Sequence, residues 1–132
     1  GYTVLNDVSD RKFTPNPGRK TRERDKFFDW MHGKWHDTFC PVGPRVVAGL
    51  DPRELRITTR VNGVVRQDSR TSDLIFDVAT LIAFVSRHMT LEPGDLISTG
   101  TPAGVGNLEV GDEVEVEIEG VGVLRNPVGA PR

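Results

Sequence analysis

Asn62-Gly63 is the feature that most narrows the folds open to this chain. It separates residues 56–61 from residues 64–68, two runs in which β-branched side chains recur. A two-residue type I′ turn needs positive φ at both central positions, which Asn and Gly tolerate, so the pair predicts an antiparallel hairpin. A second hairpin is expected at Gly120. Residues 113–119 alternate Val114, Val116 and Ile118 with glutamates, the pattern of a half-exposed strand, and residues 121–126 return beside them. Further strands are predicted at 2–6, 45–48 and 96–99. Asp77 is placed to cap a helix over 78–89, in which Val78, Leu81, Ile82, Val85 and Met89 fall on one face and are expected to be core. The chain therefore reads as α+β, mostly β with one main helix.

At 132 residues the sequence is expected to form a single domain, 1–132, with a modest core. With 36% hydrophobic and 27% charged residues it has the balance of a globular chain, not a disordered one. A net charge of -2 gives no general attraction to nucleic acid or membrane surfaces. No apolar run has the length of a membrane span. Cys40 is the single cysteine, which excludes an internal disulfide, fits a reducing compartment such as the cytoplasm, and is expected as a small buried hydrophobe.

Residues 12–32 read as a mobile loop leading into a short lid-like helix. Pro15-Asn16-Pro17-Gly18 is a turn cluster. Arg19, Lys20, Arg22, Arg24 and Lys26 follow, interrupted by Glu23 and Asp25, and Phe27, Phe28, Trp30 and Met31 offer an apolar surface expected to dock on the body. A solvated loop fits this mixture better than a nucleic-acid site.

The segment from Leu96 to Gly106 points to a ligand. A strand-like run empties into Gly100-Thr101-Pro102-Ala103-Gly104. Gly carries no side chain and Pro no N–H, so the backbone can approach a bound group, while the Thr101 hydroxyl can hold a carbonyl or carboxylate oxygen. By spacing alone, Asp7 is a strand-end capping residue, Lys34 a surface charge, and His32, His36 and His88 structural.

The motifs taken together are more specific. Gly94-Asp95, Ile97, Thr99-Gly100-Thr101-Pro102 and Gly104-Val105-Gly106 resemble the signature of the fumarylacetoacetate hydrolase superfamily. The match continues in order through Gly1 to Arg11, Gly33-Lys34 with Asp37 to Pro44, Val61-Asn62-Gly63, Arg66-Gln67-Asp68 and Thr71 to Phe76. The resemblance implies the mixed β-roll of that family's C-terminal catalytic domain. It implies Asp7 as a metal ligand, Lys34 as the catalytic ammonium, and Arg11, Thr101 and Gly100 as substrate-binding positions. The implied cofactor is a divalent metal, Mg²⁺ first and Mn²⁺ or Ca²⁺ otherwise. The implied reaction is hydrolysis of a C–C bond in a 2,4-dioxo acid of the acylpyruvate type through a metal-stabilised enolate. Isomerase, decarboxylase and hydratase chemistry are the alternatives within the family, and an inactive or partner-dependent fragment is another. The implied partners are a small oxo-acid substrate and a second copy in a homodimer, with no nucleic acid and no membrane. In the family a Glu-x-Glu metal pair and a His–Glu water-activating pair lie upstream of the Asp7 strand. Glu115 and Glu117 stand in the wrong place for the metal pair and are expected to form a solvated strand face. Because the chain opens inside a strand without a Met, further residues are expected before Gly1, either on this polypeptide or on another.

Overall fold

The computed structural model describes residues 1–12 and 22–130, which group into two compact units, Gly1–Leu5 with Val42–Arg132 and Asn6–Pro41. In the first unit β1 (Tyr2–Leu5) pairs antiparallel with β2 (Val42–Val47). Beside this ribbon stands a four-stranded antiparallel sheet ordered β4-β3-β5-β6, made of β3 (Arg56–Val61), β4 (Val64–Arg70), β5 (Glu113–Ile118) and β6 (Gly122–Pro127). The architecture is mostly sheet with two helices, as the sequence implied.

The first hairpin turns where Asn-Gly predicts, with φ of 51° at Asn62 and 77° at Gly63. Asn62 also reaches across to β5. Its side-chain oxygen accepts the Glu113 N–H at 2.9 Å, and its amide nitrogen donates to Asp112 Oδ1 at 2.7 Å. The turn and the start of β5 are thereby fixed in one register.

The core gathers Val4 from the ribbon with Val61, Val114 and Val116 from the sheet and Val121 from the turn between β5 and β6. Alternation on β5 sends Val114 and Val116 inward and leaves Glu115 and Glu117 on the opposite face. These glutamates are half-buried and ion-paired, where a solvated face was expected. Arg125 lies directly opposite Glu115 at 2.9 Å, and Arg60 lies diagonal to Glu117 at 2.8 Å. Because so few side chains are buried, each matters: Val116→Ala is expected to cost about 2 kcal/mol, read as a lower urea midpoint at unchanged slope.

The expected helix forms as α2 (Val78–Ser86), capped by Asp77, whose carboxylate accepts the Thr80 N–H at 2.7 Å. Hydrogen bonding from Thr80 holds the Asp77 carboxyl below the usual carboxylate range. The cap therefore contributes at neutral pH and is lost as falling pH passes that lowered value. Two expectations are corrected here. The α2 stripe is not core among the described residues: Val78, Leu81 and Val85 are half-buried, while Ile82 is 45% and Met89 62% exposed. Helical spacing establishes which face is apolar, and nothing in it supplies the element that covers that face. Residues 96–99 are also irregular, because no neighbouring strand among the described residues takes up their N–H and C=O groups in a ladder.

In the second unit α1 (Glu23–His32) begins where the buried Asp25 carboxylate accepts the Arg22 backbone N–H at 2.9 Å. Phe27, Phe28 and Trp30 are each about half exposed and stack on one another, with ring centroids 6.2 and 5.9 Å from Phe27. Cys40 is exposed, against expectation, because it sits at positive φ in the tight bends that end this unit. The Pro15 to Gly18 turn, Arg19 and Lys20 lie outside the described residues. Among the described residues no helix is long and apolar enough to cross a membrane.

Candidate functional site

Asp7 follows the end of β1. The chain bends there as the Val8 N–H donates to Asn6 O at 3.0 Å. Two residues on, the Asp10 N–H donates to Gly33 O at 2.8 Å. A Cβ on Gly33 would lie 2.3 Å from Asp10 O, so only glycine lets the end of α1 come this close. The residue after that glycine is Lys34, and the approach sets its ammonium beside Asp7.

Lys34 Nζ lies 2.5 Å from Asp7 Oδ2 and 2.9 Å from Ser9 Oγ. The Ser9 hydroxyl in turn donates to Asp7 O at 3.3 Å. The Trp30 ring stands 4.9 Å from the ammonium, within cation–π range. The lysine side chain is 23% exposed and the aspartate 37%, so solvent or a ligand reaches both. Asp7 and Ser9 occupy two of the ammonium's donors and leave an N–H for an incoming oxygen. A positive charge poised at an accessible carboxylate can offset charge that develops on a substrate carbonyl.

A carboxylate oxygen suits a hard divalent cation. Among the described residues, however, no group of three or more His, Cys, Asp or Glu side chains could hold a metal ion. Asp7 therefore stands as a single carboxylate, without two further such side chains grouped beside it among the described residues. Arg11 is exposed in the turn that follows, and the ion-pair partner of Asp7 is Lys34.

Thr101 and Gly100 belong to the first unit. Gly100 adopts φ of 134°, which other residues rarely reach. The loop that carries them is tied to β4: Gln67 Nε2 donates to Thr101 Oγ1 at 3.1 Å and to Pro102 O at 2.9 Å. Elsewhere in this unit an open cavity of about 610 Å³ is bordered by Leu50, Asp51, Arg53, Leu55 and Glu119. Two of its charges are paired, Arg53 with Asp51 at 2.5 Å, and the hydrogen bond from Arg53 lowers the Asp51 carboxyl to about 2. It contains none of the expected site residues.

Sequence reasoning did not single out Ser9, Trp30 or Gln67 for the site. Each left only a local trace. Ser9 is two residues from Asp7, near enough for its hydroxyl to reach back to the Asp7 carbonyl. Trp30 precedes Lys34 by four, one helical turn. Gln67 stands on the hairpin that the Asn-Gly turn fixes.

Comparison with known proteins places this geometry. Residues 1–129 match the fumarylacetoacetate (FAA) hydrolase C-terminal family. The chain is 50% identical to the 5-carboxymethyl-2-hydroxymuconate delta-isomerase from Mycobacterium smegmatis, with a TM-score of 0.85 over 98% of this chain and 48% of that one. It is 42% identical to the maleylpyruvate hydrolase from Sphingobium sp. SYK-6, solved in complex with manganese (II) ion and pyruvate, with a TM-score of 0.74 over 76% of this chain and 39% of that one. It is 44% identical to a mitochondrial oxaloacetate tautomerase of Rattus norvegicus over 97% of this chain and 41% of that protein. The chain spans about half the length of the curated relatives it matches. With the family matched along nearly its whole length, this chain belongs to the fumarylacetoacetate hydrolase family.

Proposed function

We propose that the polypeptide carrying this chain converts a 2-oxo acid to its enolate, and that its reaction is hydrolysis of a C–C bond in a 2,4-dioxo acid of the acylpyruvate type. The observation that carries this reading is the Lys34 ammonium held 2.5 Å from Asp7 and 2.9 Å from Ser9 with an N–H to spare. In this reading Lys34 donates to the substrate oxygen on which negative charge grows, and Ser9 keeps the ammonium from swinging away. Trp30 shields one side of the charge without neutralising it. Thr101, with the freedom of Gly100, donates to a carboxylate or carbonyl oxygen of the substrate, and Arg11 supplies a further cation for its carboxylate. Asp7 would give one oxygen to a divalent cation, Mg²⁺ first, whose chemistry when bound would be that of a Lewis acid toward the 2-oxo group.

A second reading, isomerisation or tautomerisation through the same enolate, is supported by the 50% identity to the delta-isomerase and 44% to the tautomerase. Incubating the native polypeptide with acetylpyruvate and with oxaloacetate, each with Mg²⁺ and with EDTA, separates the two. Mg²⁺-dependent release of acetate and pyruvate is the expected result, whereas enol–keto exchange of oxaloacetate without cleavage selects the second reading. Failure of both with folded protein would remove the enzymatic account. A homodimer belongs to the same proposal. It is supported by the exposed edge of β4, where Val64 and Val65 are 57% and 52% exposed.

A further inference from the structure

We propose that Gln67 is the positioning residue that presents the Thr101 hydroxyl as a hydrogen-bond donor to substrate, an inference that rests on Thr101 binding substrate as read above. The argument begins in the register of the first hairpin. Thr59 pairs with Gln67 and Arg60 with Val65, so Arg66 is an extra residue on β4 with no partner of its own. Such a bulge re-aims the side chain beside it. Here it sends the Gln67 carboxamide off the sheet to the Thr101-Pro102 loop, where Nε2 reaches Thr101 Oγ1 at 3.1 Å and Pro102 O at 2.9 Å.

The identity of the contacting end follows from chemistry. A proline carbonyl can only accept, so the end facing it is the NH₂ group. The same NH₂ must then donate to Thr101 Oγ1, which makes that oxygen an acceptor in this bond. The hydroxyl's own hydrogen stays free and must seek an acceptor elsewhere. A carboxylate or 2-oxo carbonyl is such a group, while an ammonium or amide N–H is not. Gln67 thereby turns the hydroxyl's donor toward an oxygen acceptor without touching it.

The bulge supports the loop at a second point. Gly104 has φ of 99°, and a Cβ there would stand 2.0 Å from Arg66 O and 3.2 Å from Gln67 Cγ. The backbone of the loop therefore lies directly on the bulge, with no space for a side chain to intervene. Loop and bulge hold one another at Thr101, Pro102 and Gly104. A glutamine in an unbulged strand would have no such reach to the loop.

The test uses pyruvate as probe, titrated calorimetrically into the native polypeptide loaded with Mn²⁺. Gln67→Met keeps side-chain length and removes both donors. It is expected to weaken pyruvate about 10-fold while the affinity for Mn²⁺ and the unfolding midpoint hold. Thr101→Val should weaken pyruvate by a similar factor, and the double variant should be no weaker than Thr101→Val alone, since Gln67 acts through that hydroxyl. Multiplying losses in the double variant would overturn the proposal, as would a Gln67→Met protein that loses Mn²⁺ or stability along with pyruvate. If Thr101→Val weakens pyruvate and Gln67→Met does not, this inference fails and the substrate-binding role of Thr101 stands. If Thr101→Val has no effect, both fall together.

Discussion

Replacing Lys34 with alanine is expected to lower kcat by about 10²–10³-fold, the scale on which one preorganised donor to a developing oxyanion is missed. The expectation rests on how firmly this ammonium is placed. It is bonded to Asp7 and Ser9, backed by Trp30, and delivered by a glycine whose neighbour leaves no space for a side chain. The substitution should leave Mn²⁺ binding intact or tighten it, because the ammonium competes with any cation for the Asp7 carboxylate. Lys34→Arg should restore little, since a planar guanidinium cannot fit the space of a compact point charge. Steady-state kinetics paired with a manganese titration checks the claim. A kcat within about twofold of the parent would remove Lys34 from the reaction, because a donor used in the transition state cannot be silent.

Asp7→Asn should give the opposite pattern. The side chain keeps its size and one carbonyl oxygen but loses the charge a hard cation requires. The Mn²⁺ dissociation constant is expected to rise by at least about 100-fold, since even residues that merely orient metal ligands commonly cost 10- to 100-fold. Turnover should fall with it and recover in part at high Mn²⁺. Raising Mn²⁺ should not rescue Lys34→Ala. The contrast matters because the two side chains touch: a shared structural role would make both variants fail alike, whereas separate chemical roles divide them by metal dependence. Paramagnetic resonance of free Mn²⁺ reads the affinity directly, and an unchanged value for Asp7→Asn would end the metal-ligand assignment.

The parts of the fold that were legible in the sequence are those whose cause is local. Asn62-Gly63 sets its own turn, Asp77 caps its own helix, and the alternation of Val114, Val116 and Ile118 declares its own faces. Features that depend on distant partners were not legible in the same way. Residues 96–99 have a strand's composition, but a strand is completed by a neighbour, and none among the described residues pairs with them. The apolar stripe of α2 marks a face and does not say what lies over it. Glu115 and Glu117 became ion-paired because register brought Arg125 opposite the first and Arg60 diagonal to the second, which no local pattern encodes. In the site, the meeting of Asp7 and Lys34 could be anticipated only through family motifs, for 27 positions separate them. Ser9 and Trp30 join them by short-range geometry, the one two residues from Asp7 and the other four before Lys34.

Asn62 carries a consequence for how this sequence can drift. It is a surface residue at a hairpin tip, a place where change is usually cheap. Glycine would satisfy the backbone there but release Asp112 and Glu113, and aspartate would keep an acceptor but set a second negative charge against Asp112. A position read twice, once by its own bend and once by a strand fifty residues away, should prove as intolerant as an interior one, and surveys that equate accessibility with freedom would misjudge it.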